Sequence, residues 1–343
     1  MTKTSDRSPS GRVTITDVAR EARVSIAAVS RAMNPNGSSS PEMRSRILAV
    51  ADSLGYKPNR LARGIKSRSS LIGILVTNFE NPAYLAILSE FSSAIQRYNC
   101  HTLLINVNTA KSIEEAVSLV MEYHVDALIV TSASVPAELV EACEQHRTPV
   151  AVFGRDAPDS GALVVTCDDE EMGRMAADHL LDSGYCRPAY VGASSNEQAT
   201  QDRLRGFSQR LEQRGQRLHG HAEGLRHSYE AGYTATCELL NSTPGMPDSI
   251  FYFDDIMACG GLDAIRHDFS LRVPDDVGVV GIDDIQFASS RSFDLTTIRQ
   301  PFSDMVERTV AGLFERVQRP AVSADRVLLP CHIVQRSTTR RIT

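Results

Sequence analysis

The sequence predicts a small all-α module followed by an α/β body of two doubly wound lobes. Three observations lead there: a strong charge imbalance between the first 68 residues and the rest, three short helix patterns inside that basic part, and apolar runs alternating with amphipathic stretches in two consecutive series. At 343 residues and 42% apolar content, the chain exceeds one ordinary domain and can bury sizeable cores.

Residues 1–68 hold 13 Lys/Arg against five Asp/Glu, a net of +8; set against −6 for the whole chain, this leaves −14 for the remainder. A basic segment on an acidic body is suited to a polyanion, because neutralising phosphates releases their condensed counterions. Residues 1–12 are polar and aperiodic and are expected to form a disordered tail. Structure is expected over 13–58. Thr14 followed by Asp17 marks a helix start, with Val18 and Ala22 on one face. Ser25 opens a second helix with Val29, Ala32 and Met33 inward, after a turn near Arg23 and Val24, and Asn34-Pro35-Asn36-Gly37 closes it. Ser40-Pro41-Glu42 starts a third, whose Ile47, Val50, Ala51 and Leu54 form an i, i+3, i+4, i+7 stripe. Two short helices joined by a turn are a helix-turn-helix, in which the second helix reaches base edges in the major groove. Residues 59–68 are a basic hinge segment. The stretch is too short to nucleate a helix alone and contains Gly64, so it is expected to fold only against DNA or a partner subunit.

From Leu71 onward the pattern changes. LIGILV, TLLINV, ALIVT and PVAVF read as buried strands separated by helices near 84–98, 112–123 and 136–146. A second series follows, with helices near 170–183, 198–214, 229–241 and 256–267 and strands PAYVG, SIFYF and VGVVGI. In such sheets ligands bind beyond the carboxyl ends of the strands, so a site is expected between the lobes. Arg155, Arg203, Asp254 and Asp283 each stand at a strand end or loop start. Carboxylates that accept from neighbouring hydroxyls and arginine forks that donate to them suit a polyol, a sugar or a sugar acid. Asp255, Asp276 and Asp284 read as caps or turn residues more readily than as ligands.

The run VTITDVAREARVSIAAVSRAMN, then SPEMRSRILAVADSLGYKPNRLARGIKS, resembles the headpiece and hinge of the LacI/GalR family of bacterial transcription regulators. The resemblance continues through DDEEMGRMAADHLLDSGY, RLRGF, FDDIMACGGLDAI, RVPDDVGVVGIDD, LTTIRQP and VQRST. It implies a DNA-contacting set of Thr14, Ser25, Ile26, Ala27, Ala28, Ser30, Arg31, Asn34, Asn59, Arg63, Ile65 and Lys66, with Ile65 as a wedge in the minor groove. Arg23 stands where the family has a small Gly, and Ala28 where it has Thr, which removes one phosphate contact. For the body the resemblance implies an α/β periplasmic-binding-protein-like type I sensor domain over 69–343, with crossings near residues 163, 298 and 326. The N-lobe would span about 71–162 plus 299–325, and the C-lobe about 163–298 plus 326–343. Arg203 and Asp283 match the family's regular effector contacts; Tyr84, Arg155 and Phe302 match pocket positions that vary. Asp254 replaces a usual Asn and makes the site more acidic, and His227 lies near a place that is often aromatic. The expected partners are a pseudo-palindromic double-stranded operator, a small polar effector and a second copy of the chain.

Other classes fit less well. The sequence has no Gly-rich phosphate loop with its Lys and Ser/Thr, no HExxH and no GxSxG, so catalysis has no motif to stand on, and no cofactor is expected. Seven scattered cysteines, odd in number, read as thiols in a reducing compartment. The apolar run Leu71–Val76 is too short to cross a bilayer, and no N-terminal apolar run resembles an export signal, so a cytoplasmic regulator is expected rather than an exported solute-binding protein.

Overall fold

The computed structural model describes residues 13–34, 37–57, 69–76, 79–107, 110–131, 137–157, 160–319 and 325–341. The chain divides into two units, 1–69 and 70–343.

In the first unit, α1 (Ile15–Glu21), α2 (Ile26–Met33) and α3 (Pro41–Ser53) enclose Val18, Val29, Ala32, Ile47 and Ala51. Each start has a local cause. Thr14 and Asp17 form a reciprocal capping box, Ser25 accepts from the Ala28 amide, and Ser40 caps α3 with Pro41 in its first turn. Arg23 turns the chain between α1 and α2 with φ of 54°, a left-handed conformation that glycine adopts more easily. The expected hinge residues Asn59, Arg63, Ile65 and Lys66 lie outside the described residues.

In the second unit, the first series runs β1 (Leu71–Val76), α4 (Pro82–Arg97), β2 (His101–Asn106), α5 (Ala110–Glu122), β3 (Ala127–Val130), α6 (Ala137–Gln145), β4 (Val150–Phe153) and β5 (Leu163–Thr166). Next come α7 (Asp169–Asp182), β6 (Pro188–Gly192), α8 (Gln198–Gln213), β7 (Gly220–Glu223), α9 (Tyr229–Ser242), β8 (Ser249–Tyr252), α10 (Asp255–Asp263), β9 (Gly278–Ile282) and β10 (Thr296–Arg299). The chain then adds α11 (Phe302–Gln318), β11 (Arg326–Leu328) and β12 (His332–Val334). Among the described residues the N-lobe sheet has the order β11-β5-β4-β3-β1-β2 and the C-lobe sheet β12-β10-β9-β8-β6-β7. All pairings are parallel except β10 with β12.

This topology corrects the expected crossing points. β5 and β11 belong to the N-lobe sheet, where Leu328 pairs with Thr166, so the chain crosses after Thr166, after Arg299 and after Leu328. The sequence LVVT is a fully buried run, and it continues the N-lobe sheet in parallel between β4 and β11.

Both cores are dense. Phe91 meets Phe153 edge-on at 4.9 Å, and Tyr190, Phe207 and Phe251 cluster in the C-lobe. Each such ring contributes about 2–3 kcal/mol through burial. One close approach matters for the site. At Gly206 an added Cβ would meet the Glu170 carbonyl oxygen at 2.0 Å, and at Gly173 the Arg203 carbonyl oxygen at 2.2 Å. Only hydrogen at these two positions allows α7 and α8 to touch backbone to backbone, which brings Asp169 and Arg203 together.

Candidate functional site

On α2 the side chains separate cleanly. Val29 and Ala32 face the core, whereas Ser25, Ile26, Ala27, Ser30, Arg31 and Asn34 are exposed and Ala28 is half-exposed. Ile26 is 49% exposed, unusual for a large aliphatic residue with a three-helix core beside it. The Thr14 hydroxyl is engaged in its own cap, donating to Asp17 Oδ2 at 2.7 Å.

In the second unit, all seven expected effector residues line one cleft between the lobes, a space of about 920 Å3 that is partly open to solvent. Tyr84, Arg155 and Phe302 come from the N-lobe; Arg203, His227, Asp254 and Asp283 come from the C-lobe. Strand ends place them: Arg155 follows β4, Asp254 follows β8 and caps α10, and Asp283 follows β9.

Arg203 is 5% exposed, and its fork is largely engaged within the protein. Its Nε donates to Asp169 Oδ1 at 2.7 Å and its Nη1 to the Phe253 carbonyl at 2.6 Å, with the guanidinium 4.1 Å from the Phe253 ring centre. Burial lifts the Asp169 carboxyl above its ordinary range even beside this cation. Asp254 caps α10 through the Met257 amide at 3.0 Å, and its Oδ2 accepts from Asn81 Nδ2 at 3.2 Å. His227 lies between two carboxylates, with Nδ1 3.2 Å from Asp254 Oδ2 and Nε2 2.7 Å from Glu197 Oε2. Burial alone would lower its pKa, but the bonds to Asp254 and Glu197 raise it to about 10, so it is an imidazolium at neutral pH. Its ring meets the Phe253 ring in a T-shaped arrangement at 4.7 Å.

Asp283 accepts from Gln300 Nε2 at 2.8 Å and from Asn81 Nδ2 at 3.3 Å. Its φ is 115° and that of Asp284 is 57°, two consecutive residues in strained backbone. The Asp283 amide bond to Ile298 at 3.0 Å and the pairing of Asp284 with Arg299 and Arg336 hold that turn. Burial, then the neighbouring Asp254, push the Asp283 carboxyl up to about 6. Tyr84 is pushed up to about 12 by burial and by Asp283, so its hydroxyl stays a donor.

Among the cleft residues that the sequence did not point to, Asn81, Asp169, Glu197 and Gln300 bond directly to the expected ones. Asn81 had a readable signal, since Asn-Pro before a helical stripe is a cap; its Oδ1 accepts from the Ala83 amide while its Nδ2 crosses to the opposite lobe. Asp255 and Asp284 hold structure, Asp255 accepting from the Ile285 amide and from Thr297, and Asp276 pairs with Arg272.

A model of bacterial regulatory proteins of the lacI family matches residues 14–59, and one of periplasmic binding protein-like domains matches residues 177–339. The chain carries a lacI-family DNA-binding domain and a periplasmic-binding-protein-like domain. Its relatives include catabolite control protein A of Staphylococcus xylosus, 28% identical over 334 residues with 96% of this chain and 99% of that protein covered. The ribose operon repressor of Halalkalibacterium halodurans is 28% identical over 331 residues, covering 95% and 97%. A solved structure of the Lac repressor dimer bound to operator and an anti-inducer is similar with a TM-score of 0.83 and 26% identity, over 96% of this chain and all of that one. A transcriptional regulator CelR–cellobiose complex matches with a TM-score of 0.72 and 26% identity, over 95% and 100%. The helices α1 and α2 lie in the lacI-type match, and Arg203, His227, Asp254, Asp283 and Phe302 of the cleft lie in the periplasmic-binding-protein-like match. None of the described helices is long and apolar enough to cross a membrane.

Proposed function

We propose that the chain is a cytoplasmic, homodimeric repressor of carbohydrate-use genes that leaves a pseudo-palindromic double-stranded operator when a small polar effector fills the cleft. The observation that carries this reading is the convergence of Tyr84, Arg155, Arg203, His227, Asp254, Asp283 and Phe302 on one interlobe cleft, in a chain whose α2 turns Ser25, Ile26, Ala27, Ser30 and Arg31 outward. Ile26 and Ala27 would read base edges, Ser30 and Arg31 bases or phosphate, and Asn59, Arg63, Ile65 and Lys66 the central minor groove. The relatives named for ribose and the complex with cellobiose support a carbohydrate effector.

The charge of the cleft narrows the effector class. Asp169 already neutralises Arg203, and His227 is shared by Glu197 and Asp254, which leaves Asp283 as an added acceptor on the C-lobe wall. A neutral, hydroxyl-rich effector that donates to Asp283 suits this wall, while a sugar acid would bring a second anion beside it.

The test is an operator selected from random duplexes by the full-length protein. A cognate sugar should weaken the complex at least tenfold. Arg31→Ala should cost at least about 1 kcal/mol of operator affinity, while Asp283→Ala should keep that affinity and lose the response. A protein that prefers no duplex over competitor DNA at moderate salt is not a regulator of this kind.

A further inference from the structure

Two consecutive N-lobe residues, Glu80 and Asn81, address the C-lobe across the cleft. Glu80 Oε1 lies 3.4 Å from Arg226 Nη2, but the two side chains are 49% and 74% exposed, so water and salt screen the pair and it contributes little. Asn81 differs in burial and in the number of its bonds. It is 3% exposed, and its Nδ2 donates to Asp254 Oδ2 at 3.2 Å and to Asp283 Oδ2 at 3.3 Å. The amide cannot turn over without loss, because its Oδ1 accepts from the Ala83 amide at 2.9 Å and caps α4. The acceptors are committed as well. Asp254 Oδ1 takes the Met257 amide at the start of α10 at 3.0 Å, and Asp283 Oδ1 takes Gln300 Nε2 at 2.8 Å. Each carboxylate thus has one oxygen anchored on its own side and turns the other to the N-lobe.

We propose that Asn81 is the clasp of the cleft, a positioning residue whose amide nitrogen fixes the N-lobe to the acidic wall while its oxygen ties the same side chain to the start of α4. Any motion that parts the lobes here breaks both bonds of the nitrogen and strands buried polar groups, which sets a cost on opening. The motion also has a way out of the cleft. α4 packs against α11, where Tyr98 and Phe314 stack at 4.0 Å, and α11 lies in the chain between the second and third crossings. An effector group that donates to Asp254 or Asp283 competes for an acceptor that Asn81 uses, so occupancy of the cleft is passed to α4 through this one side chain. That last step rests on the reading of the cleft as the effector site; the clasp itself does not.

The experiment is amide hydrogen exchange on the full-length protein without DNA or sugar. It follows the first and third crossings, residues 163–169 and 326–331. In the N-lobe sheet β3 and β4 stand between β1, which leads to Asn81, and β5, which leads into the first crossing, so a purely local change at Asn81 does not reach them. Asn81→Ser keeps a capping oxygen but is too short to span the cleft. Asn81→Asp keeps the cap and replaces the donor with a third carboxylate. Both variants should exchange at least about threefold faster at the two crossings, with residues 82–86 at the start of α4 within about twofold of the parent. Combining Asn81→Asp with Asp283→Asn conserves charge and reverses the bond, the donor now standing on the C-lobe, and should recover at least about half of that acceleration. Arg226→Gln, which removes the exposed rim pair, should leave the crossings unchanged.

Parent-like exchange at both crossings in Asn81→Ser and Asn81→Asp overturns the clasp, as does faster exchange confined to 82–86, which would make Asn81 a helix cap alone. Equal acceleration in the buried strands β6 and β8 marks general loosening and overturns it too. A double variant no slower than Asn81→Asp overturns the pairing with Asp283. A chain that prefers no operator would leave all these results standing, and a failed clasp would leave the regulator standing.

Discussion

The two walls of the cleft come from lobes with the same winding, yet they differ in kind. On the N-lobe side Tyr84, Ile87, Phe153 and Phe302 offer aromatic and aliphatic faces, with Asn81 and Arg155 among them. On the C-lobe side Asp169 pairs with Arg203, and His227 pairs with both Glu197 and Asp254, while Asp283 accepts from the neutral amides of Asn81 and Gln300. The difference teaches that the two walls carry separate burdens. One supplies surface to cover a ligand, and the other supplies polar direction at the cost of burying charges that must neutralise each other.

The most severe way to break that contrast is Arg203→Ala. It leaves Asp169 buried without its cation and the Phe253 carbonyl without its donor, and should cost about 3–5 kcal/mol in a denaturant titration. Phe302→Ala, on the half-buried opposite wall, should cost well under half as much. Equal losses would mean that the walls do not divide the work in this way.

A pH series sharpens it next. His227 has a folded pKa near 10, above its unfolded value, so its contribution is fully present below about pH 6.5 and is lost as pH rises through 10. The stability gap between the parent and His227→Gln should shrink between pH 7 and pH 10 by on the order of 2 kcal/mol. A gap that stays constant with pH would show that the imidazole is held neutral.

Asp283 should behave in the reverse manner to a structural carboxylate. Its folded pKa is raised to about 6, so the stability linked to its protonated form is present at low pH and is lost as pH passes through 6. Above that, the parent carries an ionised buried group. Asp283→Asn, with the Gln300 amide turning over to keep its bond, should raise unliganded stability by about 1 kcal/mol at pH 8. The gain should vanish near pH 4, a thermal-melt comparison at the two pH values being enough to see it.

The contrast between the walls also explains what the sequence could reveal. The helices of the first unit were legible because each begins with a side chain that does one local job, as Thr14, Ser25 and Ser40 do. Buried parallel strands such as Leu71–Val76 and Pro188–Gly192 were legible as apolar runs between amphipathic stretches. The short strands β5, β7, β10, β11 and β12 and the helix α11 were not read out from periodicity. His332–Val334 and Arg326–Leu328 have three residues each and gain their pairing from partners far away in sequence. In the cleft, strand ends pointed to Arg155, Asp254 and Asp283, but Glu197 and Gln300 owe their roles to His227 and Asp283, contacts that only the folded chain brings about. The same is true of Arg203: its type was informative, while its engagement by Asp169 depends on two glycines that let α7 and α8 touch.

The smallest expected effect tests whether strain in this chain belongs to one site or is general. Arg23 and Asp283 both hold positive φ without being glycine, at 54° and 115°. At Arg23 the conformation serves only the turn between α1 and α2, and the side chain is exposed. Glycine there removes the steric cost of a left-handed residue, roughly 1 kcal/mol, but gives part of it back through the freer unfolded chain. Arg23→Gly should therefore stabilise the helix-turn-helix by about 0.5 kcal/mol, seen as about twofold slower amide exchange in α1 and α2, and should leave effector binding unchanged. Asp283→Gly would relieve backbone strain in the same way but remove the carboxylate that Asn81 and Gln300 converge on. If both glycine variants keep their functions, the strain at Asp283 is a property of the turn alone; if only Arg23→Gly does, it is tied to the ligand wall.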